Sequence, residues 1–244
     1  MDETRSPGDI VEFEWTGATG PFSLLLSPGV FAPTHTSRLV ADALEIPARA
    51  TVFDIGCGTG VLSFVAARLG AGRVMGSDTS AQAVLDARRN AERLGLSECS
   101  EFVEGSLFQP FGSDRASVVI GDVSGIPDDL AEESGWFPGG HAGGPSGAEV
   151  PVAMLEEAPD HLETGGVLYL PTGSLQAERR VLGAAGRVFG ESNLRPVAER
   201  ELPLPGALAR SQVLARLVKR GIVSLRQRGS RLLWKITVWR CVRR

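Results

Sequence analysis

The chain has 244 residues, 43% of them apolar and 22% charged, with a formal net charge of −4 and three cysteines. A globular chain of this size buries roughly 70–75% of its unfolded surface and needs no cross-links, and the scattered, odd-numbered Cys57, Cys99 and Cys241 speak against a disulfide framework or a four-ligand metal site. No apolar run approaches the roughly 20 residues of a bilayer span, and the acidic start Met1-Asp2-Glu3-Thr4 lacks the basic-then-apolar layout of a signal peptide, so the expectation is a soluble protein of the reducing cytoplasm without a membrane partner.

Residues 10–15 alternate apolar and acidic side chains, Gly17 to Gly20 supply a turn, and residues 22–26 read as a second short strand. A helix over residues 37–44 ends at Pro47. Strands and helices then alternate. Strands are expected at 51–55, 73–77, 102–104, 116–120, 167–171 and 194–202, and helices at 61–69, 81–94, 150–162 and 175–189, with Gly95 closing the second helix. Residues 122–147 read as one long irregular stretch. An amphipathic helix over 207–220 and a hairpin formed by 222–226, a turn at Arg228-Gly229-Ser230 and 231–242 complete the chain. Alternation of this kind predicts a doubly wound α/β fold. Its mostly parallel seven-stranded sheet has an antiparallel last strand, and a hairpin-helix cap precedes it. The domain reading is a cap over 1–47, a core over 48–204 and a basic helix and hairpin over 205–244 that completes the sheet.

Charge is uneven along the chain. From Arg210 to Arg244 there is no Asp or Glu, while Arg216, Lys219, Arg220, Arg226, Arg228, Arg231, Lys235, Arg240 and Arg243 lie between. Such a segment either meets an anionic partner or forms a solvated face against an acidic body.

The stretch that decides the class is Val52-Phe53-Asp54-Ile55-Gly56-Cys57-Gly58-Thr59-Gly60-Val61-Leu62. A buried strand enters three alternating glycines and a helix begins at once, so a ligand can approach the backbone at the strand's C-terminal end. Asp78, at the end of the next strand, can accept hydrogen bonds from both hydroxyls of a ribose. The spacing is GxGxG rather than the dinucleotide GxGxxG, and Asp54 would repel a phosphate but suit an amino group. A purely structural glycine turn is the remaining alternative.

Asp54 to Gly60, Asp78 and Glu104-Gly105-Ser106-Leu107-Phe108 resemble the successive cofactor motifs of class I, Rossmann-like, S-adenosylmethionine-dependent methyltransferases. Val74 to Ala81 and Arg89-Asn90-Ala91 are similar to the protein-glutamine N5-methyltransferases that modify release factors. So are Gly105 to Phe108, against Gly-Asp-Leu-Phe, and Gly143-Gly144-Pro145-Ser146-Gly147, against Gly-Gly-x-Asp-Gly. The resemblance runs over roughly residues 30–172. It implies S-adenosylmethionine as methyl donor, held by Asp54, Gly56, Cys57, Gly58, Gly60, Asp78, Thr79, Ser106, Leu107 and Asp122.

Two departures bear on the acceptor. Where that group has Asn-Pro-Pro-Tyr, this chain has Asp122-Val123-Ser124-Gly125-Ile126-Pro127. An ionised Asp offers two acceptors and no donor, so it cannot grip both halves of an amide. The acidic residue that would read the adenine amino group is replaced by Ser106. Asp122 is the candidate catalytic base or orienter, with donor binding or loop capping as its other reading. His141 is a second candidate base, against an uninvolved surface histidine; His35 and His161 offer less. Trp136 and Phe137 could cover an acceptor from the long loop. The expected activity is methyl transfer to an O or N atom of a small molecule. Alternatives are a protein or RNA of the translation machinery, reached through the basic segment, and a donor-binding partner subunit without transferase activity.

Overall fold

The computed structural model describes residues 10–135 and 142–244. An N-terminal hairpin, β1 (Val11–Trp15) and β2 (Phe22–Leu26), leads through α1 (His35–Ala43) into the sheet. The central elements are β3 (Thr51–Ile55), α2 (Val61–Arg68), β4 (Arg73–Asp78), α3 (Ala81–Leu94), β5 (Ser100–Glu104) and β6 (Ala116–Ile120). They are followed by α4 (Asp128–Ser134), α5 (Glu149–His161), β7 (Leu162–Gly173), α6 (Glu178–Phe189) and β8 (Leu194–Pro203). The chain finishes with α7 (Gln212–Lys219), β9 (Arg226–Arg228) and β10 (Arg231–Val242).

The sheet order is β5-β4-β3-β6-β7-β10-β8, with β9 paired to β10. The strands from β5 to β7 pair in parallel, and β10 runs antiparallel between β7 and β8. The mixed α/β architecture with one antiparallel strand follows the sequence expectation; among the described residues the short β9 makes the sheet eight-stranded instead of seven.

Period-two alternation divides the core. Val52, Val74, Val118, Ile120, Val167 and Tyr169 pack on one face, with the buried side chains of α1, α2 and α3. Phe53, Ile55, Met75, Val119, Leu168 and Leu170 pack on the other, with those of α5 and α6. Successive strand side chains point to opposite faces, so continuous apolar strands feed both layers at once. Each fully buried Val, Leu, Ile or Phe contributes about 1.5–3 kcal/mol.

Several local expectations are corrected. Residues 122–147 are not irregular throughout: Asp128 and Asp129 in the first turn and left-handed Gly135 at the end define α4, with the acidic pair favourable at a helix N-terminus. The 207–220 helix is broken, because the Ser211 hydroxyl accepts the Leu214 N–H at 2.9 Å and so starts α7 there; a 3-10 turn at Leu208–Arg210 precedes it. β7 starts at Leu162, with extra residues opposite β6 between the Ala116–Leu162 and Val118–Val167 pairs. The first strand of the final hairpin is Arg226–Arg228, shorter and later than expected. Among the described residues no helix is long and apolar enough to cross a membrane.

Candidate functional site

β3 and β6 are neighbours at the point where the sheet grows outward in both directions. Ligands of open α/β sheets sit in the crevice beyond the strand C-termini at such a switch point. Here β3 runs into the glycine turn. The Gly56 and Cys57 N–H groups donate to the Ser77 carbonyl at 2.8 and 2.9 Å, and Gly60 N–H donates to the Cys57 carbonyl at 2.8 Å. Gly58 N–H donates to one Asp78 carboxylate oxygen at 2.9 Å, and Ser80 N–H to the other at 2.8 Å. Asp78 therefore ties the turn to the start of α3. Each of its oxygens keeps a lone pair for a hydroxyl-bearing ligand.

The glycines serve different ends. Gly60 has φ 87° and a Cβ there would lie 2.6 Å from the Phe64 ring, so this glycine lets α2 pack. Gly58 has φ 53° and a Cβ there would meet nothing within 4 Å. It presents bare backbone on an open face, where a ligand can run close.

Three carboxylates converge on this end of the sheet. Asp54 is buried and accepts the Ser63 hydroxyl at 2.6 Å. Burial raises its pKa to about 7; the Ser63 bond opposes the rise, and the charges of Asp122 and Asp78 add to it. Asp122 is partly buried and accepts the Ser37 hydroxyl at 3.0 Å. Burial lifts its pKa to about 6 against that hydrogen bond. Mutually repelling carboxylates in a partly dry site are relieved by a cation. A ligand with a sulfonium, an ammonium and a ribose fits this set and the open Gly58 face.

Ser106 is exposed beyond the end of β5. Leu107 adopts φ 48°, and its carbonyl accepts the Ser77 hydroxyl at 2.7 Å, which fixes this loop beside the end of β4. Thr79 is exposed next to Asp78. Cys57 belongs to the turn, but its side chain packs in the core and burial pushes its thiol well above the ordinary range. His141, Trp136 and Phe137 lie outside the described residues.

The loop after β6 is bound to the later glycine run. A Cβ on Gly143 would lie 2.8 Å from the Ser124 carbonyl oxygen, and one on Gly147 2.5 Å from that of Gly125. Gly143 N–H donates to the Ile126 carbonyl at 2.9 Å. These glycines thus hold the acceptor-side loop by close backbone approach. Ser124 Oγ and Gln176 Nε2 are buried there with no hydrogen-bond partner among the described residues, a costly arrangement unless a further group or water completes it.

Sequence reading missed Ser37 and Ser63, which orient Asp122 and Asp54. It also missed Asn90, whose amide donates to the Thr59 carbonyl at 3.2 Å and exchanges two hydrogen bonds with the Leu25 backbone at 2.7 and 3.0 Å. The signal for Ser37 was its position in a Thr34-to-Ser37 helix start; that for Asn90 was its place in the Arg89-Asn90-Ala91 motif.

A family model described as ribosomal protein L11 methyltransferase matches residues 32–123. The chain is 34% identical over 172 residues to a release factor glutamine methyltransferase of Geobacter sulfurreducens, covering 67% of this chain and 60% of that one. It is 32% identical over 186 residues to a ribosomal protein L11 methyltransferase of Pectobacterium carotovorum, covering 73% and 53%. The chain thus spans little more than half the length of these relatives. Among solved structures, a 16S rRNA N2 G1207 methyltransferase of T. thermophilus in complex with AdoMet and guanosine superposes with a TM-score of 0.60 at 17% identity, covering 96% of this chain and 51% of that one. An L11 methylase of Lactobacillus delbrueckii gives a TM-score of 0.53 at 17% identity, covering 90% and 84%.

Proposed function

Because the chain belongs to the class I S-adenosylmethionine-dependent methyltransferases, we propose that it transfers a methyl group from S-adenosylmethionine to an amine nitrogen of a protein of the translation machinery. In this reading residues 48–204 form the donor-binding core, flanked by the cap over 1–47 and the basic extension over 205–244. The sequence relatives quoted above are named for protein acceptors, so the preference for a small-molecule acceptor gives way to a protein.

The observation that carries the reading is Asp122, a partly buried carboxylate at the end of β6 in the family's acceptor-gripping position. When bound, the donor supplies an electrophilic methyl on a cationic sulfur. Asp78 is placed to take ribose hydroxyls, the Gly58 backbone to lie along the ligand, and Asp54 to take the amino group directly or through water. Asp122 presents acceptors only, which suits an ammonium: it can hold the cation and accept one of its protons, and the neutral amine so formed then attacks the methyl with its lone pair as S-adenosylhomocysteine leaves with the C–S bonding pair. Ser124 Oγ and Gln176 Nε2 are available for a carbonyl beside that nitrogen. Displacement at a sulfonium depends chiefly on positioning, so no stronger base is needed.

Two measurements test this. Radiolabelled methyl groups should pass from the donor to protease-sensitive material when the chain is incubated with bacterial ribosomes, intact or dissociated; label confined to RNA, or to a small-molecule fraction, would refute the protein acceptor. Asp78→Ala should weaken calorimetric binding of S-adenosylhomocysteine by about 1–3 kcal/mol, since it strands hydrogen-bonding groups. Unchanged affinity would remove Asp78 from the donor site.

An RNA acceptor is the second reading, favoured by the position of the basic extension. Its helix α7 packs on α4, through Leu214, Leu217 and Leu130, directly after the acceptor loop. Ser211 donates to Glu133, and Arg216 pairs with Asp129 at 3.7 Å. Arg226 and Lys235 are neutralised by Glu201 and Glu199, whereas Lys219, Arg228 and Arg231 are exposed and have no ion pair among the described residues. If this face meets RNA, binding should fall steeply as salt rises, and reversing the charge of Lys219, Arg228 and Arg231 together should flatten that dependence without altering donor affinity. Absence of RNA binding at low salt would leave the protein reading alone.

A further inference from the structure

We infer that Ser37, delivered by the N-terminal cap, is the positioning residue for Asp122, and that the acceptor site is therefore completed by a segment outside the glycine-turn core. The inference rests on the assignment of Asp122 to the acceptor.

The hydroxyl of Ser37 has one proton and two lone pairs. It accepts the Thr34 N–H at 3.3 Å and lies 3.0 Å from Asp122 Oδ2. The Thr34 contact closes the capping box at the start of α1, with Thr34 Oγ1 in turn accepting the Thr36 N–H at 3.2 Å. Thr34 fills an acceptor role of Ser37, and Asp122 can only accept when ionised, so the Ser37 proton is committed to Asp122.

This has a geometric consequence. Ser37 is buried, and Leu39, Val40 and Ala41 behind it pack into the core, so the donor is held by a rigid helix. One Asp122 oxygen is pinned, and among the described residues the second has no hydrogen bond. A carboxylate held by one oxygen presents the other in a single direction, as placing an acceptor nitrogen requires. The hydrogen bond also favours the ionised form. Among the described residues Asp54 is the titratable group coupled to Asp122, and the Asp122 charge raises the Asp54 pKa further.

The test uses the whole chain labelled with carboxyl-13C aspartate, with Asp122→Asn assigning the signal. Ser37→Ala should raise the proton affinity of Asp122 about tenfold, the size expected for losing a charge-assisted hydrogen bond, and Ser37→Thr should restore it. Turnover on ribosomal protein at pH 7 should fall about tenfold in Ser37→Ala, while S-adenosylhomocysteine affinity stays within about twofold. Thr34→Ala weakens the same helix start but keeps the Ser37 hydroxyl, and should titrate as wild type. Ser37→Cys, which keeps the volume and weakens the donor, gives the same reading if the alanine variant does not fold. An Asp122 titration unchanged in Ser37→Ala, or shifted equally in Thr34→Ala, overturns the inference. A shift specific to Ser37 variants in a chain that methylates nothing upholds the coupling and refutes the proposed reaction instead.

Discussion

Asp122→Asn is expected to depress turnover by about 10²–10⁴-fold, the range typical of losing a general base, while donor affinity stays nearly constant. The substitution keeps the shape, and the new amide can still accept from Ser37, so the fold and the pinned oxygen survive. What disappears is the charge and the proton acceptor. Wild-type turnover should fall as pH drops through about 6, because burial places the Asp122 pKa there and the protonated form cannot take a proton. The Asn variant should lack this limb. Parallel loss of S-adenosylhomocysteine affinity and turnover would mean that Asp122 holds the donor rather than the acceptor. A gain of activity on glutamine-containing peptides would show that the Asn of the release-factor enzymes is the whole difference, and the amine acceptor would be wrong.

Gly58→Val is expected to abolish detectable donor binding in a chain that still folds. The site is empty of protein atoms where the side chain would go, with nothing within 4 Å of a Cβ, so the new methyls occupy only the space assigned to the ligand. The left-handed backbone costs about 1–2 kcal/mol for a residue with a Cβ, which lowers the thermal midpoint of a chain this size by only several degrees. Gly60→Ala should behave in the opposite way. Its Cβ would press on the Phe64 ring at 2.6 Å, so stability falls first. Normal S-adenosylhomocysteine binding by Gly58→Val would mean that the turn is structural and the ligand passes elsewhere.

The strands were legible because they are short, apolar and β-branched, as in Thr51–Ile55 and Ala116–Ile120, and because parallel sheets buried on both faces need such runs. The donor site was legible because glycines and an acid at fixed offsets around a strand end are local features. α4 was not, since seven residues flanked by glycines and acids give too little apolar period to separate helix from loop. The break before α7 depended on one serine hydroxyl capping a helix inside an otherwise continuous amphipathic pattern. The bond from Ser37 to Asp122 spans 85 positions. No spacing rule reaches that far; the pairing exists only because the sheet brings α1 over the end of β6.

The bonds around α3 bear on how the molecule opens. Asp86 is fully buried and accepts the Ser27 N–H at 2.6 Å and the Ser27 hydroxyl at 2.7 Å, just past β2. Asn90, equally buried, grips Leu25 of β2 on one side and Thr59 of the glycine turn on the other. Peeling the hairpin away would break these four bonds together and leave Asp86 only Gln82 and Arg89, and Asn90 only Thr59, which is costlier than losing surface contacts. The same event would release the turn that Asn90 braces. Hairpin and turn therefore belong to one cooperative opening unit, and their amides should exchange with solvent at matched rates although one lies far ahead of the other in the chain. A ligand on the turn would then slow exchange in β2, which it never touches.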